Sequence, residues 1–202
     1  MTAIYDRSLD ALRASFGRLL EVAERLPGAE AAGADDWEAL QSSLAENGVP
    51  SRRFPADVIH DEIAALVSAR DAVDAEKKSH LIKILKDLLA APERELLARA
   101  WVSDIDYDAA AQIEFPRRHF CLTGDFIHGP RRRCDADIRE RGGLIAASVS
   151  QRVDFLVVGS LGSVEWKRGN FGAKIERAMY YKGRKLPMKI LRESAWRAAL
   201  RK

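Results

Sequence analysis

Two short apolar runs in the second half of the chain, His119-Phe-Cys-Leu-Thr-Gly124 and Asp154-Phe-Leu-Val-Val-Gly159, each close on a glycine. Consecutive apolar residues lack the alternation of a strand with one wet face, so each run predicts a strand covered on both faces. The glycine suits the tight turn that follows. Between the runs the pattern becomes helical. Arg131 to Arg141 predicts a helix with Cys134 and Ile138 inward, stopped by Gly142-Gly143. Phe171 to Tyr181 predicts another, with Ile175, Ala178 and Met179 at helical spacing. Leu144 to Ala147 read as a further strand, Val149 to Val153 as a turn or short helix, and Lys189 to Leu191 as a last strand. Glu193 to Leu200 read as a closing helix with Trp196 in the core. Strands alternating with helices predict a parallel sheet with both faces covered.

The first half reads as helical throughout. Leu9, Leu12, Phe16, Leu19, Ala23 and Leu26 follow Ser8 at helical spacing and stop at Pro27-Gly28. Trp37, Leu40 and Leu44 form a second face, and Val58, Ile59, Ile63, Leu66 and Val67 a third behind Pro55. A fourth runs through Leu81, Ile82, Leu85, Leu88 and Leu89 to Pro92, and Glu93 to Trp101 form a short fifth. A small helical domain over residues 1–101 is expected. Asp104, Asp106 and Asp108 alternate like calcium ligands, but the sixth loop position is Ala109 and the twelfth Phe115, where a calcium loop needs glycine and glutamate. Residues 102–115 therefore read as a solvated acidic linker, and residues 112–202 are expected to fold alone.

Charge divides at the same place. Residues 1–114 carry 13 basic and 22 acidic side chains, a net −9, whereas residues 115–202 carry 20 and 8, a net +12. The reversal points the second half toward phosphate-bearing ligands. With 47% hydrophobic and 31% charged residues, the chain has a soluble globular composition. No apolar run approaches the roughly 18 residues of a membrane span, and Met1 to Asp10 form no secretory leader, so a cytoplasmic protein is expected, nucleoid-associated if it binds DNA. Cys121 and Cys134 form no CxxC, and His60, His80, His119 and His128 no HExxH, so no metal site or disulfide is expected.

Phe120-Cys-Leu-Thr-Gly-Asp-Phe126, Gly142-Gly143, Val149-Ser150, Asp154 to Gly159, Gly172-Ala-Lys174 and Glu193-Ser-Ala-Trp196 occur in the order found in a BRCT domain, which the chain resembles over residues 116–200. It is similar to the BRCT modules of NAD-dependent DNA ligases, of the replication factor C large subunit and of polymerase III epsilon-like proteins. The stretches Gly162 to Lys167 and Gly169 to Lys174 are most similar to those of the last group. The resemblance implies that residues 116–202 form a four-stranded parallel sheet in the order 2-1-3-4, with one helix on one face and two on the other.

It also implies a phosphate site. The Ser/Thr-Gly pair ending the first strand matches Thr123 and Gly124, the lysine opening the second main helix matches Lys174, and the arginine of the replication-factor type matches Arg131. These groups suit the chemistry: a hydroxyl and an N–H donate to phosphate oxygens, a lysine adds a point charge, and an arginine can bind bidentately. Arg132, Lys167 and Arg168 add a basic patch, and Trp166 among the charges either stacks on a base or packs its loop.

The chain has no GxxxxGK[ST] loop, no GxSxG turn and no Lys-x-Asp-Gly motif, so no catalytic residue and no cofactor is expected. The expected function is non-enzymatic: a DNA replication or repair protein that binds phosphate-bearing DNA at ends, nicks or junctions, possible 5′-phosphorylated ends included. The alternative is an adaptor that binds a phosphorylated or unmodified protein through the BRCT-like or the helical domain.

Overall fold

The computed structural model describes residue 42, residues 75–91, residue 102, residues 105–163 and residues 172–201. The chain divides into two compact units, Met1–Leu97 and Ala98–Lys202. In the first, helix α1 spans Ala75–Ala90 and buries Leu81 and Ile84, on the apolar stretch that predicts it. The other helices expected within residues 1–101 lie outside the described residues, Ser42 excepted, which is helical and exposed.

The second unit runs β1 (His119–Thr123), α2 (Arg131–Glu140), β2 (Leu144–Ala146), β3 (Phe155–Val158), α3 (Ala173–Gly183), β4 (Lys189–Arg192) and α4 (Glu193–Leu200). All three strand pairings are parallel, and the sheet order is β2-β1-β3-β4. The two apolar runs are the central pair, with Cys121 beside Ala146 on one side and Leu156 on the other. Edge strand β4 buries only its middle residues, Ile190 and Leu191.

Topology assigns the helices to faces. The chain steps from β1 to β2 in one direction and from β3 to β4 in the other, so two right-handed crossovers put α2 and α3 on opposite faces. On the α2 face, Phe120, Leu122, Phe155, Val157 and Leu191 form one core with Cys134 and Ile138 of α2 and Trp196 of α4. The Phe120 ring stacks on Phe115 at 5.2 Å and on Phe155 at 5.0 Å. Strand alternation turns Cys121, Thr123, Leu156, Val158 and Ile190 to the other face, where α3 buries Ile175 and Ala178. Helix α2 ends in paired bonds from Gly142 N–H to Arg139 O and from Gly143 N–H to Ile138 O, with Gly142 at φ +79°.

Residues 105–115 are not a solvated linker. Asp108 N–H donates to Ile190 O at 2.9 Å, and Ile190 N–H donates to the Asp108 carboxylate at 2.8 Å. Lys182 Nζ lies 2.9 Å from Asp106 and 3.4 Å from Asp108, and Ile105 and Phe115 are buried. An open sheet edge presents unpaired backbone groups. Here a short acidic stretch satisfies such groups on β4 and neutralises part of a basic unit, and the Asp108 carboxylate acts as an acceptor rather than as solubilising charge. No helix among the described residues is long and apolar enough to cross a membrane.

Candidate functional site

The loops that leave β1 and β3 are locked together. Gly159 N–H donates to Thr123 O at 2.8 Å, Asp125 N–H to Gly162 O at 2.6 Å, and Leu161 N–H to Asp125 O at 3.2 Å. Two glycines make this approach possible. A Cβ on Gly159 would lie 2.3 Å from Asp125 O, and Gly124 turns at φ +80° with a would-be Cβ 3.0 Å from Gly162 O. The crossovers diverge between β1 and β3, so these loops stand at the topological switch point, the end of the sheet where parallel α/β folds bind their ligands.

Thr123 ends β1 on the α3 face, and its hydroxyl has no hydrogen-bond partner among the described residues. Lys174, in the first turn of α3, donates from Nζ to Leu122 O at 3.1 Å. Arg131, the first residue of α2, donates from Nη2 to Gly124 O at 2.8 Å, and its guanidinium lies 4.8 Å from the centre of the Phe126 ring. The two cations thus approach from opposite layers of the fold and bracket Thr123 on the carbonyls before and after it. Each keeps donors to spare, since an ammonium carries three and a guanidinium five. The amino ends of α2 and α3, both at this end of the sheet, add positive partial charge. Burial pushes the Cys121 thiol up, and Lys174 and Arg131 oppose that rise, so both charges are felt within β1.

Thr123, Gly124, Arg131 and Lys174 are therefore brought together. Arg132 is exposed on the first turn of α2. Lys167, Arg168 and Trp166 lie outside the described residues. Two contributors escaped the sequence reading. Phe126, buried in the loop after β1, is the surface on which Arg131 rests. Glu193, buried at the start of α4, holds both loops by hydrogen bonds to His128 N–H and Ser160 N–H. An acidic residue opening a helix reads as a dipole partner, and nothing in the local pattern marks it as buried. Among the described residues, no group of three His, Cys, Asp or Glu could hold a metal ion.

No family model, curated protein or solved structure matches this chain.

Proposed function

We propose that the second unit is a BRCT-type module whose Thr123-Gly124 turn, Lys174 and Arg131 hold a phosphate group on DNA, with binding rather than catalysis as its task. The observation that carries this reading is the anchoring of Lys174 and Arg131 on the carbonyls of Leu122 and Gly124, which brackets with two cations a hydroxyl that has no partner among the described residues. The net charge of +12 over residues 115–202 favours nucleic acid, because phosphate contacts release counterions. A terminal phosphate offers more charge and more free oxygens than an internal one, so ends and nicks in replication or repair are the preferred targets. Arg132, Lys167 and Arg168 would add contacts to the backbone.

Fluorescence anisotropy of the full chain with matched 5′-phosphorylated and 5′-hydroxyl duplexes tests this. Lys174→Ala and Thr123→Ala are expected to lower the preference for the phosphorylated duplex about ten-fold, the value of one charge-assisted hydrogen bond. Arg132→Ala should weaken both duplexes alike. Equal losses for both duplexes in all three variants would reduce the site to general basic surface. Salt-insensitive binding of a phosphopeptide in place of DNA would make the module a protein adaptor.

A further inference from the structure

Lys174 belongs to two features at once. Besides flanking Thr123, it forms one end of a groove of about 580 Å³ between α3 and the connection from β2 to β3, whose far wall includes Ser148 and Val149. On the helix side, Lys174, Arg177 and Tyr181 follow one another at i, i+3 and i+7, so they form a single stripe along the groove wall. The two cations of the stripe are about 4.5 Å apart along the helix axis, and the tyrosine stands about 6 Å beyond them. Tyr180 forms the outer lip. Its ring is 57% exposed, yet it is held in place, since Arg184 Nη1 donates to its hydroxyl at 2.7 Å and the Tyr181 ring lies 5.7 Å away at a tilt of 54°.

The Arg184 guanidinium also lies 5.6 Å from the centre of the Tyr180 ring, so a flat partner has to stack on the ring surface that Arg184 leaves exposed. Cations and tyrosines on one groove wall offer charge for phosphates beside rings for bases, and stacking accepts any base. Glu176 lines the groove as well and opposes phosphate there, so phosphate contact depends on the Lys174 and Arg177 charges. At about 580 Å³ the groove is on the scale of a ligand site, which suits an extended strand.

We infer that this groove binds a single-stranded 5′ extension of DNA, with the terminal phosphate at Thr123 and Lys174, the next phosphate at Arg177, and bases stacked on Tyr181 and Tyr180. The inference rests on the phosphate-site reading above and specifies the ligand as an overhanging end rather than a blunt one.

The test is anisotropy of the full chain with duplexes that are blunt or carry a 5′ overhang of about four nucleotides, each with 5′-phosphate or 5′-hydroxyl. The 5′-phosphorylated overhang is expected to bind about five-fold more tightly than the blunt phosphorylated end, the low end of what one stacked base supplies. Tyr180→Leu and Arg177→Ala, both at exposed positions, should each reduce this overhang preference while keeping the preference for phosphate over hydroxyl at blunt ends. Equal binding of overhang and blunt ends by the parent protein would overturn the groove, whatever the phosphate does. An overhang preference untouched by both variants would overturn it too. An overhang preference with no phosphate preference would instead overturn the phosphate site, and with it the placement of the strand's end on Lys174.

Discussion

The Glu193 carboxylate accepts the main-chain N–H of His128 on one oxygen at 2.6 Å and that of Ser160 on the other at 2.7 Å. One buried side chain at the β4–α4 junction therefore ties the loop after β1 to the loop after β3. Burial pushes its carboxyl up, against the main-chain donors that favour the ionised form. Both oxygens must accept, which an amide cannot do. Glu193→Gln is expected to turn an NH2 toward one of the two main-chain donors and to cost about 1–3 kcal/mol, the range for a buried donor left unmade. Urea denaturation measures it, and an unchanged midpoint would mean that the loops hold each other without Glu193.

Two glycines, one inside this interlock and one outside it, are expected to respond in opposite ways. Gly159→Ala would place a methyl 2.3 Å from Asp125 O, so the loop carrying the Thr123-Gly124 turn must move. A loss of about 1–3 kcal/mol is expected, together with weaker binding at the proposed phosphate site. At Gly183, the last residue of α3, a Cβ meets nothing within 4 Å. Gly183→Ala should stabilise by about 0.4–1 kcal/mol through a less mobile unfolded chain. Thermal melts of the two variants check both signs, and a stable Gly159→Ala would show that the loops are looser than their hydrogen bonds imply.

The parts of the fold legible in the sequence are those written in contiguous pattern. The runs at Phe120 and Phe155 mark the central strands because burial on both faces fills consecutive positions with apolar residues, and Gly142-Gly143 marks a helix end because only glycine readily takes the left-handed turn there. Strand order and the meeting of Thr123, Gly124, Arg131 and Lys174 are not written in periodicity, and as sequence expectations they rest only on the resemblance to BRCT domains. What stayed hidden is held by side chains that bond across long separations. Glu193 acts on His128 and Ser160, and Asp108 on Ile190, and in each case an acid that reads as solvated is used as an acceptor for main-chain N–H. Local charge statistics carry no information about such distant donors.

Asp108 makes the choice of fragment decisive. A chain beginning at residue 112 lacks Ile105, Tyr107 and Asp108, and so leaves the Ile190 N–H and C=O on the β4 edge open to water and to other strands. A fragment spanning residues 98–202 is expected to unfold cooperatively and at a clearly higher urea concentration than one spanning 112–202. The shorter fragment should also show concentration-dependent association. Equal midpoints would return residues 102–115 to the role of a tether.

Cys134, on the buried face of α2, sets an alkaline limit. Its Sγ lies 3.6 Å from Gly129 O, and burial, with a further contribution from the Glu193 charge, pushes the thiol up from 9.0 to about 12. A thiol whose folded pKa is raised is neutral in both states below about pH 9, so no penalty arises there. Between the two values the unfolded chain releases its proton and the folded chain keeps it, and stability must fall as pH rises. At about pH 10.5 the loss from this group approaches 2 kcal/mol, at 1.36 kcal/mol per pH unit. Cys134→Ala removes the group, while Cys121 stays in both proteins and cancels from the comparison. The alanine variant, less stable than the parent at about pH 8 because of its smaller side chain, is expected to close most of that gap by about pH 10.5. Urea midpoints of the two proteins at both pH values decide it, and a gap of constant size would mean that the folded protein lets this thiol ionise as freely as the unfolded chain does.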